Sequence, residues 1–233
     1  PSVTRAFQTG DSQKLKRTVE AVLRITFLTA LPMGVGLSVL AQPAALLIYG
    51  ARPGTVIVGR VLTALGAASV FAALCGPLNS ILQAMGHVEL PVVLTLIGLF
   101  VKAVLDYTLA AVPRVNVLGG AVGTLVCYAL ASVLACIAIR RIAGVKIDFF
   151  STFKKPFLAS ACCGVAALLT HKAWCAVLPE SRFSALPAVF LGALIYVVFL
   201  LIARGICEED IKALPNGEKI TKRLEKYLQK AGG

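Results

Sequence analysis

Aromatic, histidine and acidic residues are scarce in this sequence, and each shortage argues against a class of function. Only 7% of the residues are aromatic and one is Trp, so the sequence offers no base-stacking surface for nucleic acid. The two histidines, His87 and His171, lie in different segments and lack the spacing of metal ligands. Acidic residues number 11 against 23 basic ones, which gives a formal net charge of +12. Because the basic residues cluster between apolar runs, the positive charge does not indicate nucleic acid as a partner, and the histidine spacing predicts no metal ion.

Seven cysteines are present, but they are not arranged as a reactive or metal-binding site. Their number is odd, no two form a C-x-x-C motif, and most lie inside apolar runs, which is typical of small packing residues in helices. The sequence also lacks a Ser/His/Asp set, two carboxylates on one face of a span, a phosphate-binding loop and an H-E-x-x-H motif. We therefore predict that the chain is not an enzyme and has no catalytic residue, metal site or cofactor.

In place of such motifs the sequence has long apolar segments. Hydrophobic residues make up 58% of the chain, above the roughly 45–50% of a soluble domain. An amphipathic segment, 1–18, comes first, and a basic amphipathic tail, 204–233, comes last. The predicted fold is an all-α membrane protein, a polytopic bundle of six transmembrane helices. The six predicted spans are 19–42, 56–84, 90–112, 117–139, 156–178 and 184–203.

The positions of Lys and Arg predict how these spans are oriented. If both ends of the chain face the cytoplasm, 17 of the 23 basic residues lie on the cytoplasmic side and five on the other, as the positive-inside rule requires. The tail has basic residues on the face opposite its apolar ones, which favours binding to anionic membrane lipids. A solvated terminal helix would show the same pattern. We predict a multi-pass protein of the cytoplasmic membrane with both ends of the chain in the cytoplasm.

The third span contains two charged residues near its middle, Lys102 and Asp106. Four residues apart, they lie on one face of a helix, about 6 Å apart along its axis. A single charge at that depth costs roughly 2.5–3.5 kcal/mol on insertion scales, so such residues usually face a bundle interior or a water-filled cavity. In the functional interpretation Lys102 attracts a phosphate group, and Asp106 holds Lys102 or takes part in cation or proton coupling. In the structural interpretation the two form a neutralised pair between packed helices.

Four further polar residues are candidates for the substrate path. Asn79 and Gln83 lie on one face of the second span, where they would hydrogen-bond either a sugar or a neighbouring helix. Arg24 and Arg60 each lie near the start of their span, and since the two spans cross in opposite directions, they lie near opposite faces of the membrane. Both fit the pattern of side chains that reach back to the headgroups, and the alternative is a gate or a phosphate contact.

Proline and glycine interrupt two of the predicted spans. Pro32 lies within the first span, and Gly76 and Pro77 lie within the second. Proline removes a backbone hydrogen bond and kinks a helix. We therefore predict hinges at Pro32 and at Gly76-Pro77, with a fixed kink as the alternative.

The residues in these segments resemble a known superfamily. The segments PSVTRAFQTGD and LRITFLTALPMGVGLSVLAQPAALLIYG resemble the region of helix nine in the flippase and polysaccharide-exporter branch of the MOP (multidrug/oligosaccharidyl-lipid/polysaccharide) superfamily. LNSILQAMGHVELPVVLTLIGLFVKAVLDYTL is similar to the hairpin that follows, and NVLGGAVGTLVCYALASVLACIAIRR to helix twelve. EEDIKALPNGEKI resembles the tail of members like stage V sporulation protein B. Family members often carry Asn at the position of Asp106, so a salt bridge to Lys102 is a natural local adaptation.

The resemblance implies a two-lobed, MATE-like transporter of about fourteen helices, of which this chain is helices nine to fourteen. It implies a flippase that moves an undecaprenyl-linked saccharide or peptidoglycan precursor across the bacterial cytoplasmic membrane by alternating access. The process would be cell-wall, spore-cortex or polysaccharide biogenesis. The implied partners are the lipid-linked sugar, a possible coupling ion and the missing N-terminal helices, which agrees with a chain that starts at Pro1 without a signal-peptide pattern. The alternatives are a cation-coupled multidrug exporter, a membrane-embedded enzyme and a non-transporting envelope scaffold.

Overall fold

The computed structural model describes residues 3–4, 7, 9, 12–112, 116–144, 149–177, 190–191 and 194–196. Within these ranges the chain forms six α-helices of nine or more residues and no β-strand. The helices are α1 (Ser12–Val39), α2 (Ala41–Tyr49), α3 (Thr55–Ala84), α4 (Glu89–Ala110), α5 (Asn116–Ala143) and α6 (Phe149–Val177).

Four of these helices, α1, α3, α4 and α5, are long and apolar enough to cross a membrane. Helix α6 contains a shorter apolar stretch, Pro156–Thr170. The prediction of a polytopic all-α membrane protein is therefore confirmed. Most of the sixth predicted span, 184–203, and all of the tail, 204–233, lie outside the described residues, so the count of six spans stays a prediction.

The helices extend beyond the apolar spans into their polar flanks. Helix α1 begins at Ser12, inside the segment predicted as 1–18, and α6 begins at Phe149 rather than at 156. Hydropathy marks only the part of a helix that is apolar, whereas exposed residues such as Lys14 and Arg17 are good helix formers and continue the helix. After α1 the chain bends at Leu40 and continues as the short helix α2.

Helix α3 lies at the centre of the described bundle. It packs along α1, α2 and α5, while α4 packs mainly on α5, and α6 packs on α1. Leu78 and Leu82 of α3 are fully buried. The order of the long helices across the bundle is therefore α4, α5, α3, α1 and α6, and this order decides which candidate residues can meet.

Glycine allows α1 and α3 to approach closely where they cross. A Cβ atom at Gly34 would lie 2.8 Å from the backbone oxygen of Gly66, and would also overlap the Val70 side chain. One turn further along α1, the Ser38 hydroxyl donates a hydrogen bond to the Thr63 carbonyl at 3.0 Å. Small residues of this kind bring membrane helices into backbone contact.

A Schellman motif ends α3 and directs the chain into α4. The backbone N–H of His87 donates to the carbonyl of Leu82 at 3.1 Å, and that of Gly86 to the carbonyl of Gln83 at 3.0 Å. Gly86 takes the left-handed conformation that this motif requires, with φ of 88°. The short turn places the start of α4 beside the end of α3.

Candidate functional site

The two charged residues of α4 form an ion pair. The Lys102 ammonium donates a hydrogen bond to Asp106 Oδ2 one helical turn away. The two side chains keep 27% and 33% of their surface exposed. Among the residues that the structure describes, the other carboxylate oxygen, Asp106 Oδ1, is buried without a hydrogen-bond partner. The pair therefore neutralises its charge locally, while one carboxylate oxygen stays buried without a partner among the described residues.

The Lys102–Asp106 pair packs against helix α5. A Cβ atom at Gly123 would overlap Asp106 Oδ1 and lie 3.2 Å from Asp106 Cγ and 3.5 Å from Lys102 Cγ. One turn away, a Cβ atom at Gly119 would lie 2.7 Å from Cβ of Leu109. The spacing Gly119-x-x-x-Gly123 thus gives α5 a flat face, and the Asp106 carboxylate occupies the space above Gly123.

Replacing Gly123 with Ala is expected to displace the Asp106 carboxylate and destabilise the folded protein by about 1–2 kcal/mol, as overpacking does. Gly120 is the matched control, because a Cβ atom there meets nothing within 4 Å. Gly120→Ala should be neutral or stabilise by up to about 1 kcal/mol, through helix propensity alone. Thermal unfolding of the purified full-length protein measures both variants. Equal effects of the two substitutions would contradict the packing of Asp106 on Gly123.

The other predicted path residues do not gather around this pair. Gln83 is exposed and Asn79 half-buried near the end of α3, whereas Arg60 is exposed near its start, about 35 Å from Gln83 at 1.5 Å per residue. Lys102 lies about 20 Å along α4 from the turn that follows Gln83. Arg24 is half-buried on α1. The predicted hinge residues Pro32 and Pro77 both lie inside continuous helices, and Gly76 is exposed beside Pro77.

A polar contact that was not predicted from sequence joins α3 and α5. The Ser132 hydroxyl donates to the carbonyl of Phe71 at 3.1 Å and lies 3.3 Å from the sulfur of Cys75. Ser132 is only 4% exposed. A serine inside an apolar run is the signal that marks such a contact, because its hydroxyl needs a partner within the membrane.

An apolar groove of about 700 Å³ is a second feature that the sequence did not show. Helices α1 and α3 form its floor, α5 is one wall, and Phe157 of α6 is on the other side. Its polar lining consists of Ser38, Ser132 and, near the end of α5, Arg140. An apolar groove within a membrane-spanning bundle is filled either by hydrocarbon or by another apolar helix.

Comparisons with known proteins agree with this architecture. Residues 1–197 match the family model described as lipid II flippase MurJ. The chain is 22% identical over 238 residues to the uncharacterized membrane protein YabM of Bacillus subtilis (strain 168), an alignment that covers 100% of this chain and 43% of YabM. It is 23% identical over 221 residues to stage V sporulation protein B of the same organism, covering 92% of this chain and 40% of that protein. The chain thus spans about two-fifths of the length of the curated relatives it matches.

The family match extends from the first residue through α6. It includes α4 with the Lys102–Asp106 pair and α5 with its glycine face. The predicted membership in the MOP superfamily of flippases is confirmed by this match and by the similarity to stage V sporulation protein B. The chain belongs to the family of the lipid II flippase MurJ.

Proposed function

We propose that this chain is part of a flippase that moves an undecaprenyl-linked saccharide or peptidoglycan precursor across the bacterial cytoplasmic membrane by alternating access. The family match and the apolar helices support a membrane transporter of lipid-linked precursors. The similarity to a sporulation protein supports a role in cell-wall or spore-cortex biogenesis. The reaction is transport, so we propose no enzymatic step.

The observation that carries this proposal is the Lys102–Asp106 ion pair inside a membrane-spanning helix. A lipid-linked saccharide carries phosphate groups that lose their hydration when they enter the membrane, and a lysine ammonium is a compact charge that attracts phosphate. Lys102 would exchange Asp106 for the phosphate as the headgroup passes. Asp106 would balance the ammonium when no substrate is bound, which avoids the cost of an isolated charge.

The orientation of the chain is part of the proposal. We place the start of α1, the α3–α4 turn and the end of α5 on the cytoplasmic side. Arg140 and Arg141 in the last turn of α5 support this choice, because basic residues are retained on the cytoplasmic side of membrane proteins. In this orientation Lys102 lies in the half of α4 farther from the cytoplasm.

The apolar groove indicates where further helices of the same protein would pack. Its floor of α1 and α3 is apolar and membrane-embedded, which suits an apolar helix. The curated relatives are more than twice as long as this chain, so they have additional residues from which such helices can come. We propose that the groove between α5 and α6 is covered by those helices in the complete transporter.

A flipping assay with the full-length protein tests the function. Vesicles would contain the protein and a lipid-linked saccharide whose sugar reacts with a membrane-impermeant reagent. The expected result is that nearly all of the lipid becomes reactive with protein present, and about half without it, because only the outer leaflet is accessible. The matched control is the same protein assayed with excess unlabelled lipid-linked saccharide, which should slow the reaction.

Two results would contradict the proposal. One is flipping that an organic cation blocks and a lipid-linked saccharide does not, which is the behaviour of a multidrug exporter. The other is the absence of flipping in vesicles whose protein is folded and correctly inserted, together with failure of the unsubstituted protein to rescue a flippase-depleted strain. That combination would indicate a scaffold.

A further inference from the structure

Pro32 leaves one backbone carbonyl of α1 without its helical partner. Helix α1 runs from Ser12 to Val39 with Pro32 inside it. Proline has no N–H, so the carbonyl four residues earlier, that of Leu28, receives no hydrogen bond from within the helix. In a membrane-spanning helix water does not replace the missing donor, and an unsatisfied backbone group is costly there.

A tyrosine 168 residues further along the chain supplies this missing hydrogen bond. The Tyr196 hydroxyl donates to the carbonyl of Leu28 at 2.5 Å. Tyr196 is 8% exposed, and its ring packs against the buried Ala159 and Cys163 of α6. The hydroxyl also interacts with Ser160 on the same face of α6. Tyr196 therefore connects the bend of α1 to α6.

Among the described residues, a proline inside another long helix, α3, has no such contact. Pro77 in α3 leaves the carbonyl of Ala73 unpaired in the same way. Within the described part of the chain, no side chain donates a hydrogen bond to Ala73. The tyrosine contact is thus a property of the Pro32 bend, and Pro77 provides a matched control for it.

Proline bends a helix, and the part of α1 beyond Pro32 packs against both α3 and α6. Beyond Pro32, Gly34 lies at the crossing with α3, and Val35 packs so closely on α6 that a Cβ atom at Gly164 would lie 2.8 Å from its Cγ1. The angle at Pro32 therefore decides how the end of α1 meets α3 and α6 together. A hydrogen bond at Leu28 holds that angle.

We propose that Tyr196 is a positioning residue that fixes the bend of α1 at Pro32, so that alternation between transport conformations requires this hydrogen bond to break. The contact itself is independent of what the protein transports. Its role in the transport cycle rests on the proposed flippase function.

A double-mutant cycle on the full-length protein tests the contact. Tyr196→Phe removes only the hydroxyl and should lower the Tm by about 1 °C, the shift expected from one lost hydrogen bond in a protein more than twice as long as this chain. Because Ser160 also interacts with that hydroxyl, the single variant does not isolate the bond to Leu28. Pro32→Ala does, since it supplies an N–H to the Leu28 carbonyl from within the helix.

In the Pro32→Ala protein, Tyr196→Phe should therefore lower the Tm by about half as much or less, because the carbonyl keeps a donor. In the Pro77→Ala protein, the same substitution should keep its full effect, because the two sites share no hydrogen bond. Equal Tm losses in all three backgrounds would overturn the assignment of Tyr196 to the Pro32 bend.

The transport role has its own readout. Tyr196→Phe should raise the maximal flipping rate by about fivefold, the factor equivalent to one hydrogen bond that no longer has to break, while the half-saturating substrate concentration stays the same. Pro32→Ala should make the rate insensitive to Tyr196→Phe. Coupling between Tyr196 and Pro32 in the Tm cycle without any change in flipping rate would overturn the positioning role. A wild-type protein that does not flip the lipid would contradict the proposed function, but the Tm cycle would still test the hydrogen bond between Tyr196 and Leu28.

Discussion

Replacing Lys102 with Met is expected to remove most flipping activity of the full-length protein and to lower its folding stability by about 2–3 kcal/mol. The substitution leaves the Asp106 carboxylate without its partner in a membrane-spanning helix. Breaking a fully buried ion pair typically costs about 3–5 kcal/mol. The expected loss is smaller here because the two side chains keep 27% and 33% of their surface exposed. Flipping assays at matched protein amount and thermal unfolding measure the two effects separately.

The double variant Lys102→Met/Asp106→Asn distinguishes the functional interpretation of the pair from the structural one. With both charges gone no unpaired charge remains, so stability should return to within about 1 kcal/mol of the unsubstituted protein. Flipping should stay low, because the ammonium that we propose to attract phosphate is absent. Full flipping by the double variant would show that the pair serves the packing of α4 on α5 and nothing more.

A second ion pair at the same helical spacing is the control for these variants. Lys16 and Glu20 of α1 lie 3.7 Å apart, with exposed fractions of 35% and 20%. Pairs of this spacing on a helix surface contribute about 0.3–0.5 kcal/mol. Lys16→Met should therefore change stability by no more than about 0.5 kcal/mol and leave flipping unchanged. A loss of flipping equal to that of Lys102→Met would mean that the assay responds to net charge rather than to Lys102.

The ion pair was predictable from sequence because helix geometry alone decides it. Residues four apart on a helix are neighbours whatever surrounds them, and the apolar flanks of Lys102 and Asp106 indicate a spanning helix. The position of Gly123 beneath Asp106 was not predictable. It depends on how α4 and α5 are aligned, and a small residue gives no sign in the sequence of which side chain it will accommodate.

Other features were not predictable because they join distant parts of the chain. The missing N–H of Pro32 can be identified from sequence, because it is a property of that residue alone. The residue that donates a hydrogen bond to the Leu28 carbonyl in its place, Tyr196, lies in another segment. The groove lined by Phe27, Val70 and Ile137 was missed for a different reason. An apolar side chain in a membrane protein has the same hydropathy whether it faces lipid, another helix or a groove. Hydropathy therefore predicts where the spans are, but not which helices pack against each other.

Replacing Gly34 with Ala is expected to destabilise the folded protein by about 1–3 kcal/mol, the usual effect of overpacking. The added Cβ would lie 2.8 Å from the Gly66 carbonyl oxygen, and because that oxygen belongs to the backbone it moves only if α1 and α3 separate. The overlap with Val70 adds a side chain that must change rotamer. Separation of the helices would also lengthen the hydrogen bond from Ser38 to Thr63.

Gly36 is the matched control for Gly34, since it lies two residues further along the same helix and its added Cβ meets nothing within 4 Å. Gly36→Ala should be neutral or stabilise by up to about 1 kcal/mol, because alanine has the higher helix propensity. Thermal unfolding of both variants in the same detergent measures the difference. If Gly34→Ala is as stable as Gly36→Ala, α1 and α3 do not cross at Gly34, and the floor of the groove, which these two helices form, is not as the structure has it.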